Sequence, residues 1–266
     1  MKKHNIIYNI IVLILAISFL ALPVSAATEK NEEYWGDLSC RTGIPAIELQ
    51  NSYLQMSKED FETAVIELEE LMQYYKSLPN YGISLADASP MSDSQWRQFK
   101  STMVNGSVLI TQDSEHLNYY HGHAAIVSGV YDSTVPDPLN RVIYITEHPG
   151  SKDNGALSWR IILNNNTTNY WRTRSNVVNM HYGPSSNTMN TAGNVATTSY
   201  IIGKPYNPLA DKNSATTFSC SSLVYRCYLE AGADVGGDSG SIVMPIHIAQ
   251  DSDMIIRYLY GDFPWY

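Results

Sequence analysis

The chain has 266 residues, 44% hydrophobic and 16% charged, with 26 acidic side chains against 17 Lys and Arg and a formal charge of −9 at pH 7. That composition suits a globular protein with one sizeable core. Its acidic balance offers no basic footprint for nucleic acid, is repelled by anionic membranes and gains no long-range attraction to anionic wall polymers.

The chain begins with Lys2 and Lys3, an apolar run from Ile6 to Leu22, the break at Pro23, and Val24-Ser25-Ala26. This is the pattern of a secretory leader, with cleavage expected after Ala26. An uncleaved anchor is the alternative, because the run is nearly long enough to span a bilayer. Cleavage would remove two lysines and no acid, taking the charge from −9 to −11. Later segments are too short or too polar to cross a membrane, so no stable span is expected after cleavage.

Residues 27–90 read as a helical extension. Ser57 with Asp60 resembles a capping box, and Phe61, Val65, Leu68, Met72 and Tyr75 recur at helical spacing as a packing stripe. Pro79-Asn80-Tyr81-Gly82 ends that helix, and Ala86 to Pro90 reads as a linker into a second unit, residues 91–266. There, Ser92 with Gln95 starts a short helix running to about Met103. Strands are expected at Val108–Thr111, His123–Tyr131, Val142–Thr146 and Leu157–Leu163, with another over Tyr170–Val178. Helices are expected at Thr191–Ile202 and at Cys220–Ala231, the latter stopped by Gly232. Strands gathered between helices predict an α+β fold.

Three cysteines leave at least one unpaired. On one helix, Cys220 and Cys227 would be roughly 10 Å apart by rise alone, too far for a disulfide; a Cys40–Cys227 bridge stays open. In Phe218-Ser219-Cys220-Ser221-Ser222-Leu223-Val224-Tyr225, polar serines mark the change from loop to helix, which puts Cys220 in the first turn and Cys227 on the buried stripe. The positive end of the dipole favours a thiolate at such a position, and the free N–H groups of that turn, Ser221 among them, suit an oxyanion. Read by position alone, Cys220 is equally well a small buried hydrophobe. A cysteine nucleophile needs an imidazole held by a third polar group. His123 opens one strand and Glu147 ends the next, so the two side chains can stand side by side. His121-Gly122-His123 also offers an H-x-H pair, but no third metal ligand follows at a suitable spacing.

These motifs occur in a recognisable order: Gly106-Ser107-Val108-Leu109-Ile110; Gly122-His123-Ala124-Ala125-Ile126-Val127; Ile143-Tyr144-Ile145-Thr146-Glu147; Gly203-Lys204-Pro205-Tyr206; the Cys220 segment; and Val243-Met244-Pro245. From Gly106 to about Gln250 the chain resembles the circularly permuted NlpC/p60-like amidases of the papain superfamily, of the YaeF/YiiX and YycO type. The permuted branch is implied because the cysteine follows the histidine. Ser107 stands where the family has Asp, and Ser219 where it has Tyr; both departures bear on specificity rather than on a catalytic group.

The resemblance implies a permuted papain-like fold, with a central antiparallel sheet or barrel packed on helices. It implies Cys220 as nucleophile, His123 as base, Glu147 as the orienting residue, and Tyr206 with the Ser221 turn at the oxyanion or substrate. No metal or cofactor is expected. The expected activity is that of a secreted, possibly wall-associated hydrolase of peptide or acyl-amide bonds, with peptidoglycan peptides leading. A lipid-directed amidase or acyltransferase, and a catalytically inactive wall-binding module, are the alternatives.

Overall fold

The computed structural model describes residues 30–77, 90–112, 121–131, 134–148, 157–237, 240–261, 263 and 265. The leader at 1–26, the Pro79–Gly82 stop and the 86–89 part of the linker lie outside them. No helix among the described residues is long and apolar enough to cross a membrane.

Three helices come first: α1 (Glu32–Thr42), α2 (Ala46–Gln55) and α3 (Lys58–Ser77). Asn31 caps α1 by accepting from the Tyr34 N–H, and Gly43 closes it in the left-handed region at φ 70°. At the start of α3, Ser57 Oγ accepts from the Asp60 N–H at 3.1 Å. The stripe Phe61, Val65, Leu68, Met72 and Tyr75 is buried. A fourth helix, α4 (Asp93–Ser101), carries the expected Ser92/Gln95 capping box.

Six strands then form one antiparallel sheet in the order β4-β3-β2-β1-β5-β6. They are β1 (Val108–Thr111), β2 (His123–Tyr131), β3 (Val142–Glu147), β4 (Trp159–Ile162), β5 (Val177–Tyr182) and β6 (Met254–Tyr260). Alternate residues feed two apolar layers. Val108, Ile110, Ala124, Ile126, Val178 and Met180 meet α1–α3, α5 (Ser186–Val195), α6 (Cys220–Glu230) and α7 (Pro245–Ala249). Leu109, Ala125, Val127, Ile143, Ile145 and Val177 meet Trp96 and Phe99 of α4 and Trp171. Burial on both faces explains why β1 and β2 read as continuous apolar runs rather than alternating ones. The α+β class holds, and the three extension helices share the core of the first face.

Three expected elements differ clearly from the sequence reading. The strand expected over 170–178 is a 3-10 turn at Tyr170–Arg172, initiated where Asn169 Oδ1 accepts from the Trp171 N–H, and the strand proper begins at Val177. The helix expected over 191–202 is α5, capped by Ser185 and finished by Val195. The Thr197 and Thr198 hydroxyls take the Asn194 and Val195 carbonyls at 2.7 Å, competing with helical continuation. β4 is shorter than expected because Leu157 pairs with Pro205 instead. Neither β6 nor α7 was anticipated.

Candidate active site

α6 begins at Cys220. Ser219 Oγ accepts from the Ser222 N–H at 3.0 Å, and Ser222 Oγ accepts from the Ser219 N–H at 2.8 Å. This reciprocal cap fixes where the helix starts and so fixes the thiol in its first turn. The Tyr228 hydroxyl, two turns on, donates to the Gly106 carbonyl at 2.6 Å and ties α6 to the entry of β1. Cys220 is 9% exposed, while Cys227 is fully buried and Cys40 is exposed; none is in a disulfide, so no Cys40–Cys227 bridge forms.

His123 is the first residue of β2. Gly122 before it has φ 72°, and any Cβ there would collide with the Thr111 carbonyl, so glycine is required to bring β2 in at this angle. Ala125 stands opposite Glu147 in the β2–β3 register, which makes His123 the diagonal neighbour of Glu147. His123 Nε2 lies 3.1 Å from Glu147 Oε2. The Trp171 indole N–H donates to the same oxygen at 3.1 Å. The imidazole is further held by the Trp171 ring at 5.4 Å and the edge of Tyr170 at 5.3 Å. His123 and Cys220 are close enough that each shifts the other's ionisation.

The electrostatics of the pair follow from this geometry. Burial works against a charged imidazole, but the hydrogen bonds and charges of Cys220 and Glu147 outweigh it and raise His123 to about 10. Burial likewise opposes a thiolate, but the His123 hydrogen bond and charge, with backbone hydrogen bonds from Ala124 and Ser221, bring Cys220 below the usual thiol value. Thiolate and imidazolium therefore favour one another at the start of α6. Burial and Glu230 push the Cys227 thiol the other way.

Tyr206 also reaches this region. It forms a parallel bridge with Phe218, two residues before the thiol, and the Asn207 N–H donates to the Phe218 carbonyl at 3.1 Å. Its hydroxyl is pushed well up by burial, by Glu48 of α2 and by Cys220, so it stays protonated. The Ser221 hydroxyl is not in the cleft: it donates to the Val243 carbonyl at 2.7 Å, and Ser221 serves the thiol through its backbone. Ser107, in the place of the family's Asp, accepts from the Val104 N–H at 2.9 Å and shapes the turn into β1.

Sequence reasoning missed three participants. Trp171, the second donor to Glu147, sat inside the misread strand. His148 follows Glu147 directly; its Nε2 faces the Lys204 carbonyl at 3.0 Å and its ring lies 4.9 Å from that of Tyr206. Its adjacency to Glu147 was the available signal. Glu48 lies in α2, a part of the helical extension in which the sequence reading singled out no residue. His121 is separate from the thiol pair: its Nε2 meets the Thr42 carbonyl at 2.8 Å, so the two rings of the H-x-H pair have different partners.

Comparison of the chain with protein-family models, with curated proteins and with solved structures finds no match in any of the three. Function is therefore read from the geometry and the motif order.

Proposed function

We propose that the chain is a cysteine-dependent amide hydrolase with a circularly permuted papain-like, NlpC/p60-like core. The observation that carries this reading is the relay Cys220–His123–Glu147, with the thiol on the first turn of α6. In this mechanism the Cys220 thiolate attacks the substrate carbonyl carbon. The oxyanion accepts hydrogen bonds from the Cys220 N–H and from the Ser221 N–H once the sulfur has bonded, the Ser222 N–H being held by the Ser219 cap, with the protonated Tyr206 hydroxyl as a further donor. The His123 imidazolium gives its proton to the departing amine, leaving a thioester. Neutral His123 then takes a proton from water, whose oxygen attacks the thioester carbonyl, releasing the acid and the Cys220 thiolate beside the regenerated imidazolium. Glu147 holds the ring's orientation and stabilises its charge, and Trp171 holds Glu147.

The leader-like segment before Ala26 supports secretion, and with it cell-wall peptides as the leading substrates. The test is to incubate purified protein and its Cys220→Ser variant with peptidoglycan fragments and with acyl-lipid amides, and to follow products by mass. Wild type should release a cleaved peptide and the variant none. Products from the lipid set alone would make the chain a lipid-directed amidase. Equal turnover by both proteins would sink the cysteine mechanism.

A further inference from the structure

Two buried donors beside the thiol pair have no partner. The Tyr75 hydroxyl on α3 and the Trp265 indole N–H make no hydrogen bond among the described residues, at 1% and 3% exposure. Leaving such groups desolvated and unsatisfied is unfavourable, and in a folded protein it asks for an explanation. The two rings adjoin, with centroids 5.8 Å apart. Both flank the entry to β2: Tyr75 meets the His121 ring edge-on at 5.9 Å, and Trp265 lies 2.9 Å from where a Gly122 Cβ would be. Gly122 is the residue before His123.

The pair is held by structure around it. Gln250 Nε2 donates to the Tyr74 hydroxyl at 3.0 Å and to the Trp265 carbonyl at 3.2 Å, which ties residue 265 to α3. Phe263 packs edge-on against Trp265 at 5.2 Å. Resting on the hydrolase reading, we propose that Tyr75 and Trp265 form a paired-donor subsite that binds a neutral carbonyl oxygen of the substrate beside Cys220.

The charge state of the surroundings selects a neutral acceptor. Burial, then Cys220 and Tyr74, hold the Tyr75 hydroxyl protonated, and burial keeps His121 neutral down to about pH 4. The negative charge of Cys220 that raises the Tyr75 hydroxyl would also oppose a carboxylate placed on it, whereas an amide carbonyl needs only two hydrogen bonds. Cys220 itself is only 9% exposed.

The test uses Cys220→Ala protein with nitrogen-15-labelled tryptophan, titrated with N-acetylalanine methylamide and separately with acetate. The Trp265 indole N–H resonance, assigned through Trp265→Phe, should move downfield with the amide and stay in place with acetate. Tyr75→Phe should weaken amide binding about tenfold, the equivalent of one hydrogen bond. It should also leave the Tm unchanged or higher, because it removes an unsatisfied hydroxyl. A resonance unmoved by saturating amide, equal response to acetate, or full affinity in Tyr75→Phe would overturn the subsite. Amide binding here without hydrolysis by the Cys220 protein would instead sink the hydrolase reading and leave the subsite standing.

Discussion

Cys220 and His123 raise and lower one another's proton affinity, and that coupling has a direct readout. Iodoacetamide reacts with the thiolate alone. Cys220 is depressed and His123 is raised to about 10, so each favours the charged form of the other. Alkylation of Cys220 should therefore persist to lower pH than that of an ordinary thiol, which titrates near about 8.5, and drop when the depressed thiol takes up its proton. Exposed Cys40 serves as the internal reference, and buried Cys227 should not react. Glu147→Gln keeps an acceptor for the ring but removes the carboxylate's charge, so His123 falls, Cys220 rises, and the pH at which labelling drops should move up by about one unit, roughly 1.4 kcal/mol. Peptide mapping after brief treatment reads all three cysteines; unchanged labelling in Glu147→Gln would mean the carboxylate does not tune the thiol. The closeness of His123 to Glu147 and the place of Cys220 in the first turn of α6 were legible because all three sit at element ends, where sequence marks position sharply. Tyr75 was not, because at helical spacing an aromatic that packs and one that also offers a hydroxyl look alike.

Among the elements, α3 ties down the loop between α6 and α7. Glu67 Oε2 accepts from the Ser241 N–H at 2.7 Å, the Ser241 hydroxyl at 2.9 Å and the Ile242 N–H at 3.2 Å. Glu67→Ala would strand two backbone donors and should cost about 2–3 kcal/mol. Glu67→Gln keeps an acceptor oxygen and should cost about 1 kcal/mol or less. Urea midpoints compare the two; equal losses would show that the helix position, not the acceptor, matters. Capping residues made the starts of α3, α4 and α6 readable. The 170–182 and 186–203 stretches were misread because Asn169, Thr197 and Thr198 bond the backbone locally, and such competition carries no periodic signal. β6 was missed because it is an edge strand whose Ile255, Ile256 and Leu259 are exposed, so burial leaves little pattern in it.

For the whole molecule, three histidines set the acid limit. Burial holds His121, His148 and His247 neutral in the fold, each down to about pH 4. Unfolded histidine takes up its proton near pH 6.5. Between those values the unfolded chain binds more protons, so stability falls as pH drops from about 6.5 to 4 and the loss is complete below that. Summed over three groups, the loss is on the order of 10 kcal/mol at most. Urea unfolding at fixed temperature across that range should show it; a flat profile would contradict the burial of these rings. The α+β class was legible from the clustering of strands between helices. The merging of the 32–77 helices into the first face's core was not, because it depends on partners far along the chain.

The same distances along the chain decide when the cleft is finished. Ser52 bonds Asn207, Glu67 bonds Ser241, and Tyr74 bonds Gln250, with separations of 155, 174 and 176 residues. Contacts of that span form late, since their loop entropy must be met before any local gain supports them. A chain emerging in order makes the His123 strand well before the Cys220 helix, and α3 must wait for the segment beyond residue 240 before its contacts are complete. The His123–Cys220 pair is therefore fully surrounded only after that segment is made, and a shorter nascent chain carries the Cys220 thiol without all the groups packed around it.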